Sequence, residues 1–301
     1  MSLIRIVLFV ALAAFITSPI RADSLQRADG SLITYHLLNR TTEGRQSLIL
    51  MLQGSGCGPV IERKWLRTEP PVLAPGRAVL AIEKYGVADG NITANGSEDG
   101  CSLAYWRGNT LHQRVFDATQ TLAHLRKEEW WDGELIIYGG SEGGAIAAML
   151  APLIPEARSV IIFSSGIGVS VSDLIRSAVP PPVAAQLPAI LKEAKANPSA
   201  TKRFGGASYR WWADAADIIP ARLLLQTDVP ILFIHGTRDQ FAPLSTARAT
   251  QTMFIEAGKN NLVYREFKGY DHFMIDEAGI DHREEVLGFM AAWLEENQRA
   301  D

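Results

Sequence analysis

The sequence predicts an α/β fold in which helices cover both faces of a mostly parallel central sheet. Continuous apolar runs such as 47–53 are typical of strands buried on both sides. Segments such as 109–126 carry apolar residues at helical spacing. The two patterns alternate along 301 residues, a length that suits one large domain with an insertion.

The predicted elements follow in chain order. An alternating, β-branched stretch predicts an early edge strand, and later strands and helices alternate. The strands are predicted at 31–38, 47–53, 77–83, 134–138, 159–163, 230–236 and 262–267, and the helices at 109–126, 145–153, 245–257 and 283–296.

The alternation stops between residues 164 and 229. This stretch contains helix-like segments, the proline cluster Pro180–Pro182 and an aromatic group that includes Trp211 and Trp212. We expect a helical cap insertion over the sheet edge at about residues 168–227. At least one of the two tryptophans should pack the cap onto the body of the domain, since adjacent helix residues face different ways.

The N-terminal segment has the layout of a secretory signal peptide. One arginine precedes an apolar run at 6–16, and a segment that ends with Ala22 interrupts the run. We therefore expect residues 1–22 to be a signal peptide and 23–301 to form the α/β domain. A short apolar run favours cleavage over an uncleaved membrane anchor, which stays the alternative. The expected location is secreted or periplasmic, with no stable membrane insertion after cleavage.

Composition and charge exclude some classes of partner. The formal net charge of −4 gives no general attraction to nucleic acid or acidic membranes. The sequence contains no metal-binding motif, so we expect neither metal nor cofactor. Nothing in the sequence indicates an oligomeric state.

Cys57 and Cys101 are the only cysteines, and both lie in glycine-rich, loop-like surroundings. An exported chain meets an oxidising compartment, so a disulfide between them is expected. Two unrelated free thiols are the alternative.

Ser141 lies at a predicted strand-to-helix corner within the sequence Gly139-Gly140-Ser141-Glu142-Gly143. Such a corner requires residues without bulk two positions before and after the serine, as Gly139 and Gly143 provide. It exposes the serine hydroxyl above the sheet edge and directs a helix N-terminus toward it. This pattern predicts that Ser141 is a nucleophile.

Two further loops follow predicted strands and supply an acid and a base. Asp239 follows the strand at 230–236, and His272 follows the strand at 262–267. Because the carboxyl ends of parallel strands meet at one edge of a sheet, we expect both residues to lie near Ser141. Asp239 is preferred to its competitor Asp271, which adjoins His272 and should point elsewhere.

Each of the other histidines is a weaker candidate for the base. His235 lies in a buried strand and suits a hydrogen-bonded core position, and His282 opens the last helix, where it should face solvent. The remaining histidines lie far from the required strand ends: His36, His112 and His124.

A glycine-rich loop at 54–58 follows the second buried strand. The backbone amides of Ser55, Gly56 and Glu142 are the candidates for an oxyanion hole. The side chain of Glu142 should be solvated or face the cap. Glu83 and Lys84 end the strand at 77–83, where they could line the pocket, although an ion pair at a loop start is the usual explanation for such neighbours.

These motifs resemble those of the α/β-hydrolase superfamily from about residue 47 to the C-terminus. The segment around Ser141 is similar to its nucleophile elbow, 235–239 to its acid segment and 269–273 to its histidine loop. The segment Gln53-Gly54 stands where many members have His-Gly. The resemblance implies an α/β-hydrolase fold of the kind found in esterases, dienelactone-hydrolase-like proteins and prolyl-oligopeptidase-type peptidases.

The expected function is that of an exported serine hydrolase that cleaves carboxylic esters through an acyl-enzyme intermediate. Ser141 attacks the carbonyl, His272 transfers the proton and Asp239 orients His272. A peptidase or amidase of prolyl-oligopeptidase type is the alternative, with Glu142 or Glu83 as candidates to bind a substrate amino group. For either enzyme the expected partner is a small-molecule ester or a short peptide substrate. A binding protein that kept this fold without catalysis is a further alternative.

Overall fold

The computed structural model describes residues 22–87, 100–199 and 202–298. Its strands, in chain order, are β1 Ala22–Gln26, β2 Leu32–Leu38, β3 Gln46–Leu52, β4 Ala78–Ile82, β5 Trp131–Gly140, β6 Ala157–Phe163, β7 Arg203–Phe204, β8 Ala207–Ser208, β9 Ile231–Gly236 and β10 Leu262–Phe267. Its helices are α1 Trp65–Thr68, α2 Pro70–Leu73, α3 Leu103–Gly108, α4 Leu111–Leu125, α5 Glu142–Leu150, α6 Val171–Ala178, α7 Pro181–Ala184, α8 Leu187–Ala196, α9 Tyr209–Ala215, α10 Pro220–Leu224, α11 Leu244–Glu256 and α12 Arg283–Gln298.

Eight of these strands form one sheet in the order β1-β2-β4-β3-β5-β6-β9-β10. The six strands from β4 to β10 are parallel, whereas β1 and β2 are antiparallel to their neighbours. The loops that follow β3, β5, β9 and β10 therefore all leave the sheet at the same edge. The predicted mostly parallel sheet is confirmed.

Each face of the sheet is covered by its own apolar cluster. On β3, the side chains of Leu48 and Leu50 pack on the face covered by α4 and α5, and Ile49 and Met51 pack on the face covered by α12. All four side chains are at most 1% exposed. Strands buried on both faces explain why the apolar runs in the sequence are continuous rather than alternating.

The predicted edge position of the strand at 31–38 is wrong. β2 is the second strand of the sheet, because β1 pairs with it in antiparallel register from Ala22 opposite His36 to Gln26 opposite Leu32. β1 contains only one large apolar residue, Leu25, so it gives no strand pattern. It begins at Ala22, the last residue of the expected signal peptide; residues 1–21 lie outside the described residues, and the signal peptide stays a prediction.

The segment between β6 and β9 contains helices α6 to α10 and the two-stranded ribbon β7–β8. A helical insertion was expected, and the ribbon is an addition to it. Trp211 and Trp212 both belong to the main apolar cluster, with rings perpendicular and 5.2 Å apart. Trp212 is fully buried and donates from Nε1 to the carbonyl oxygen of Phe204, so the α9 helix also fixes the ribbon.

Cys57 and Cys101 form a disulfide, with an S–S distance of 2.05 Å. In the described ranges, no helix combines the length and apolarity needed to cross a membrane.

Candidate active site

Ser141 occupies a strained turn between β5 and α5, with φ 54° and ψ −125°. Left-handed backbone is costly for a residue other than glycine and persists only where its surroundings enforce it. A Cβ atom on Gly139 would lie 2.1 Å from the carbonyl oxygen of Gly143, and one on Gly143 would lie 2.2 Å from that of Leu52. The sequence can form this turn because both flanking positions are glycine.

His272 and Asp239 form a hydrogen-bonded pair. The Nδ1 atom of His272 lies 2.7 Å from Oδ2 of Asp239, whose side chain is fully buried. The other carboxylate oxygen of Asp239 accepts hydrogen bonds from the backbone N–H groups of Phe241 and Ala242. Because Oδ2 of Asp239 accepts from Nδ1 of His272, the imidazole is held with a proton on Nδ1 and with Nε2 available as a base.

Ser141 and His272 line one open cleft of about 1380 Å³. The rings of Phe241 and Phe273 lie 5.2 Å and 5.1 Å from the imidazole and form an apolar wall around it. In the described structure no hydrogen bond joins Ser141 to His272. Catalytic hydrogen bonds are often long in a protein without its substrate and tighten when the substrate binds.

The loop after β3 lies against the serine. A Cβ atom on Gly54 would be 3.3 Å from Cβ of Ser141. The backbone N–H groups of Ser55 and Gly56 donate no hydrogen bond within the described residues. Glu142 is the first residue of α5, so its amide also lacks an intrahelical acceptor. These three amides are therefore free to donate to a ligand beside the serine turn.

The side chain of Lys84 holds this loop in place. Its Nζ atom lies 2.5 Å from the carbonyl oxygen of Gly54 and 2.6 Å from that of Gly56. Turning these two carbonyl groups toward the lysine keeps them away from the cleft. Burial, reinforced by the positive charge of Arg114, lowers the pKa of Lys84 to about 7, although Glu142 acts in the opposite direction.

Of the two positions expected for the Glu142 side chain, the structure supports the cap-facing one: Glu142 is mostly buried and lines a small cavity together with cap residues such as Ala207 and Trp211. Its Oε1 accepts a hydrogen bond of 2.6 Å from Nη1 of Arg114 and lies 3.9 Å from Nζ of Lys84. The same guanidinium donates from Nη2 to the carbonyl oxygen of Gln53, 2.5 Å away. One buried arginine therefore connects the start of α5 to the end of β3.

Glu83 and Lys84 have separate partners instead of forming an ion pair. Glu83 is 2% exposed and accepts hydrogen bonds from the backbone N–H groups of Val60 and Ile61, and its Oε1 lies 3.1 Å from Nε2 of His36. It holds the start of the segment that leads to α1.

The competing acid and base have structural roles. Asp271 uses Oδ1 to accept hydrogen bonds from the backbone N–H groups of Phe273 and Ile275, which shapes the histidine loop. His235 is fully buried, and its Nε2 lies 2.8 Å from the carbonyl oxygen of Ala242. Burial lowers the pKa of His235, so this ring stays neutral and is a packed neighbour of Asp239.

The remaining histidines lie outside the cleft lining. His282 stacks on Tyr270 and hydrogen-bonds to Asp276, which raises its pKa. His112 pairs with Asp214 on the surface, with 64% of its side chain exposed. In the described ranges, no group of three or more histidine, cysteine, aspartate or glutamate side chains could hold a metal ion.

Arg114 and the two phenylalanines beside His272 were not identified from the sequence. For Arg114 a signal exists: it lies three residues after Leu111 and four before Ala118, on the apolar face of α4. A charged residue on such a face requires a buried partner. Phe241 and Phe273 carry no comparable signal, because exposed aromatic residues in loops have no characteristic spacing.

The fold and the serine turn define an α/β-hydrolase. The sequence matches the prolyl oligopeptidase family over residues 96–297, and the chain belongs to this family of serine hydrolases. A comparison with curated protein sequences finds no match.

Several solved structures share the fold. Est1E from Butyrivibrio proteoclasticus has a TM-score of 0.63 and 14% identity, and the alignment covers 92% of this chain and 99% of that one. A putative dipeptidyl aminopeptidase IV from Bacteroides ovatus has a TM-score of 0.61 and 14% identity. A puromycin-hydrolyzing peptidase from Mycobacterium tuberculosis has a TM-score of 0.60 and 17% identity. These alignments cover 92% of this chain but 36% and 38% of the two peptidases.

Proposed function

We propose that this protein is an exported carboxylic ester hydrolase that works through an acyl-enzyme intermediate on Ser141. The Asp239–His272 pair in the same cleft as the strained serine carries this proposal. In the proposed reaction Nε2 of His272 takes the proton of the Ser141 hydroxyl as Oγ attacks the carbonyl carbon.

The developing oxyanion accepts hydrogen bonds from the amides of Ser55 and Glu142, with Gly56 as the next donor. Such donors contribute about 3–4 kcal/mol each where they have been removed by mutation in other enzymes. His272 then protonates the leaving oxygen. In the second half-reaction it deprotonates a water molecule that attacks the acyl-enzyme, and free Ser141 is restored.

The two carboxylates that the sequence offers to bind a substrate amino group, Glu142 in the cleft lining and Glu83 outside it, are both already engaged. This engagement favours an ester over a peptide with a free amino terminus. Recognition of an ammonium group needs a carboxylate that is not already neutralised. Glu142 is paired with Arg114, and Glu83 is buried against backbone N–H groups. Glu69, also in the cleft lining, accepts a hydrogen bond of 2.7 Å from Arg283.

A peptidase is the second candidate, since the family and two of the structurally similar proteins carry peptidase names. Comparing kcat/KM for p-nitrophenyl acyl esters with that for aminoacyl-p-nitroanilides separates the two. We expect the esters to be hydrolysed and the anilides to be hydrolysed at least about a hundredfold more slowly, a difference of nearly 3 kcal/mol. Faster hydrolysis of the anilides would assign the protein to the peptidases.

Export is part of the proposal. It is supported by the sequence of residues 1–22 and by the disulfide between Cys57 and Cys101. N-terminal sequencing of the protein secreted by its host tests it: a mature chain that begins at Asp23 is expected, and an intact N-terminus would contradict cleavage.

A further inference from the structure

A second, smaller cavity of about 150 Å³ lies beside the oxyanion loop, beneath the β7–β8 ribbon. Ser55, Gly56 and Glu142 line both this cavity and the main cleft. The small cavity therefore adjoins the cleft next to the carbonyl-binding position. We call it the ribbon pocket; its remaining lining residues are Tyr105, Trp106, Asn109, Ile175, Gly205, Gly206, Ala207, Ser208 and Trp211.

The walls of the ribbon pocket are aromatic and held in place. The Tyr105 and Trp106 rings are perpendicular at 5.1 Å, and the guanidinium of Arg203 lies 4.9 Å from the centre of the Trp106 ring. On the opposite side, Trp211 packs against the fully buried Trp212. Rigid aromatic walls favour a flat, apolar ligand group, because little side-chain freedom remains to be lost on binding.

One polar group in the ribbon pocket is unused. Asn109 is 3% exposed, and its Oδ1 has no hydrogen-bond partner in the described structure. Among the other polar side chains, Glu142 is engaged with Arg114 and Ser208 is the N-cap of α9, whereas Ser55 is exposed to solvent. A buried amide oxygen without a partner is uncommon. It is closed off from the cavity in this conformation, and a ligand hydroxyl would satisfy it once the Asn109 side chain turns toward the pocket.

The position of His272 determines which part of an ester the ribbon pocket takes. The leaving oxygen must lie within hydrogen-bonding distance of the imidazole, which protonates it. His272 and its neighbours Phe241 and Phe273 line the main cleft but not the ribbon pocket. The alcohol therefore leaves through the cleft, and the acyl group lies on the side of the oxyanion loop.

We propose that the ribbon pocket is the acyl-binding subsite and takes a single aromatic ring that carries a hydroxyl group, as in a hydroxybenzoyl ester. This inference rests on the proposed esterase function and names its substrate class. A dry cavity of about 150 Å³ in another protein accommodates benzene, so this volume fits one ring. The hydroxyl group hydrogen-bonds to the side-chain amide of Asn109.

Acyl preference tests this directly. We expect kcat/KM for the p-nitrophenyl esters to rise from acetyl through benzoyl to the better of the 3- and 4-hydroxybenzoyl groups. The increase in kcat/KM from the benzoyl to the hydroxybenzoyl ester should be about tenfold, which corresponds to the free energy of one neutral hydrogen bond. A preference for hexanoyl over every aromatic acyl group would overturn the assignment.

Two variants connect the preference to the pocket. Ala207→Phe fills the cavity and should lower the benzoyl-to-acetyl ratio of kcat/KM at least tenfold. Asn109→Leu should remove the hydroxybenzoyl-to-benzoyl preference. Ala185→Phe, the same change on an exposed cap position outside both cavities, is the control and should leave both ratios unchanged. Unchanged ratios in the two pocket variants would contradict the proposal.

A binding measurement separates failure of this inference from failure of the proposed function. 4-Hydroxybenzamide should bind the Ser141→Ala variant and quench tryptophan fluorescence, and adding Ala207→Phe should weaken its Kd at least tenfold. Binding without any ester turnover would retain the subsite and reject the esterase. Ester turnover with equal binding by the two proteins would retain the esterase and reject the subsite.

Discussion

Asp239 divides its two carboxylate oxygens between two tasks. Oδ1 accepts two backbone N–H groups, which fixes the orientation of the carboxylate, and Oδ2 accepts from Nδ1 of His272. An orienting group that is itself held by the backbone gives the imidazole one tautomer and one ring direction. The strength of the proposed base therefore depends on a carboxylate that never touches the substrate.

Asp239→Asn tests this dependence at the level of one atom. The amide oxygen can keep the two backbone hydrogen bonds, but its NH₂ group would face Nδ1 and force the proton of His272 onto Nε2. That tautomer cannot accept the serine proton, so we expect kcat to fall by about 10³- to 10⁴-fold with little loss of stability. Steady-state kinetics and thermal unfolding measure the two effects.

Asp271→Asn is the matched control. The Asp271 side chain accepts hydrogen bonds only from backbone N–H groups, a role that an amide oxygen can fill. The kcat of the Asp271→Asn variant should therefore stay within a few-fold of the wild-type value. If Asp271→Asn were as inactive as Asp239→Asn, the acid would be misassigned.

At the scale of single elements, β4 supports the oxyanion loop through Lys84, two residues beyond the end of the strand. Lys84 binds two carbonyl groups of the loop, and Arg114 on α4 joins Gln53 to Glu142. The geometry of the three candidate oxyanion donors thus depends on two buried cations from different elements. Both act by positioning the loop, since neither approaches the reacting carbonyl directly.

Lys84→Met should lower kcat about tenfold or more while KM changes little, because the oxyanion donors act mainly in the transition state. Lys64→Met, which alters an exposed lysine of the same cleft, is the control and should leave kcat unchanged. A rise in KM with unchanged kcat would show that Lys84 serves substrate binding rather than oxyanion geometry.

The lowered pKa of Lys84 also predicts a pH-dependent stability. Between its folded value of about 7 and its ordinary value of 10.5, the unfolded chain binds more protons than the folded one. Wild-type stability should therefore rise relative to Lys84→Met by about 2 kcal/mol from pH 7 to pH 9. Urea unfolding at both pH values measures the difference; a constant difference would mean that Lys84 keeps an ordinary pKa.

The elements differ in how far the sequence predicts them. The buried parallel strands are predictable because burial on both faces leaves a continuous apolar run. β1 is not, because it lies at the sheet edge, where polar residues are tolerated and backbone pairing with β2 determines the strand. The loop-fixing role of Lys84 depends on contacts 28 and 30 residues away in the chain, which no local pattern encodes.

At the scale of the whole molecule, the disulfide connects the proposed catalytic and acyl-binding regions. Cys57 lies in the oxyanion loop, and Cys101 precedes α3, which carries Tyr105 and Trp106 of the ribbon pocket. Both half-cystines pack with these two aromatic residues in a separate apolar cluster. The bond therefore holds the two sides of the acyl subsite together.

Cys57→Ala/Cys101→Ala should lower the free energy of unfolding by about 4 kcal/mol, the chain-entropy estimate for a closed loop of this length. The double cysteine variant should also have a lower kcat, because the loop loses one of its two supports. Its kcat should fall less than that of a triple variant that also carries Lys84→Met, because Lys84 still holds the loop in the double variant. Urea unfolding of the double variant and of reduced wild-type protein should agree. Stability equal to that of the oxidised wild type would contradict this role.

The order of the triad candidates could be predicted because each follows a predicted strand: β5 and β9 have distinct apolar runs, and β10 begins with apolar residues and carries charged ones in its second half. The ribbon pocket could not be predicted, since it combines α3, the cap ribbon and the oxyanion loop from distant parts of the chain. The single unpartnered atom of Asn109 becomes visible only when all its neighbours are in place.

The central claim is that Ser141 is a nucleophile activated by His272, and active-site labelling tests it most directly. After treatment with a fluorophosphonate, mass spectrometry of tryptic peptides should locate one phosphonyl group on Ser141. The label should be absent from Ser141→Ala and formed far more slowly in His272→Ala. A folded protein in which Ser141 remains unlabelled, or an active Ser141→Ala variant, would contradict the account.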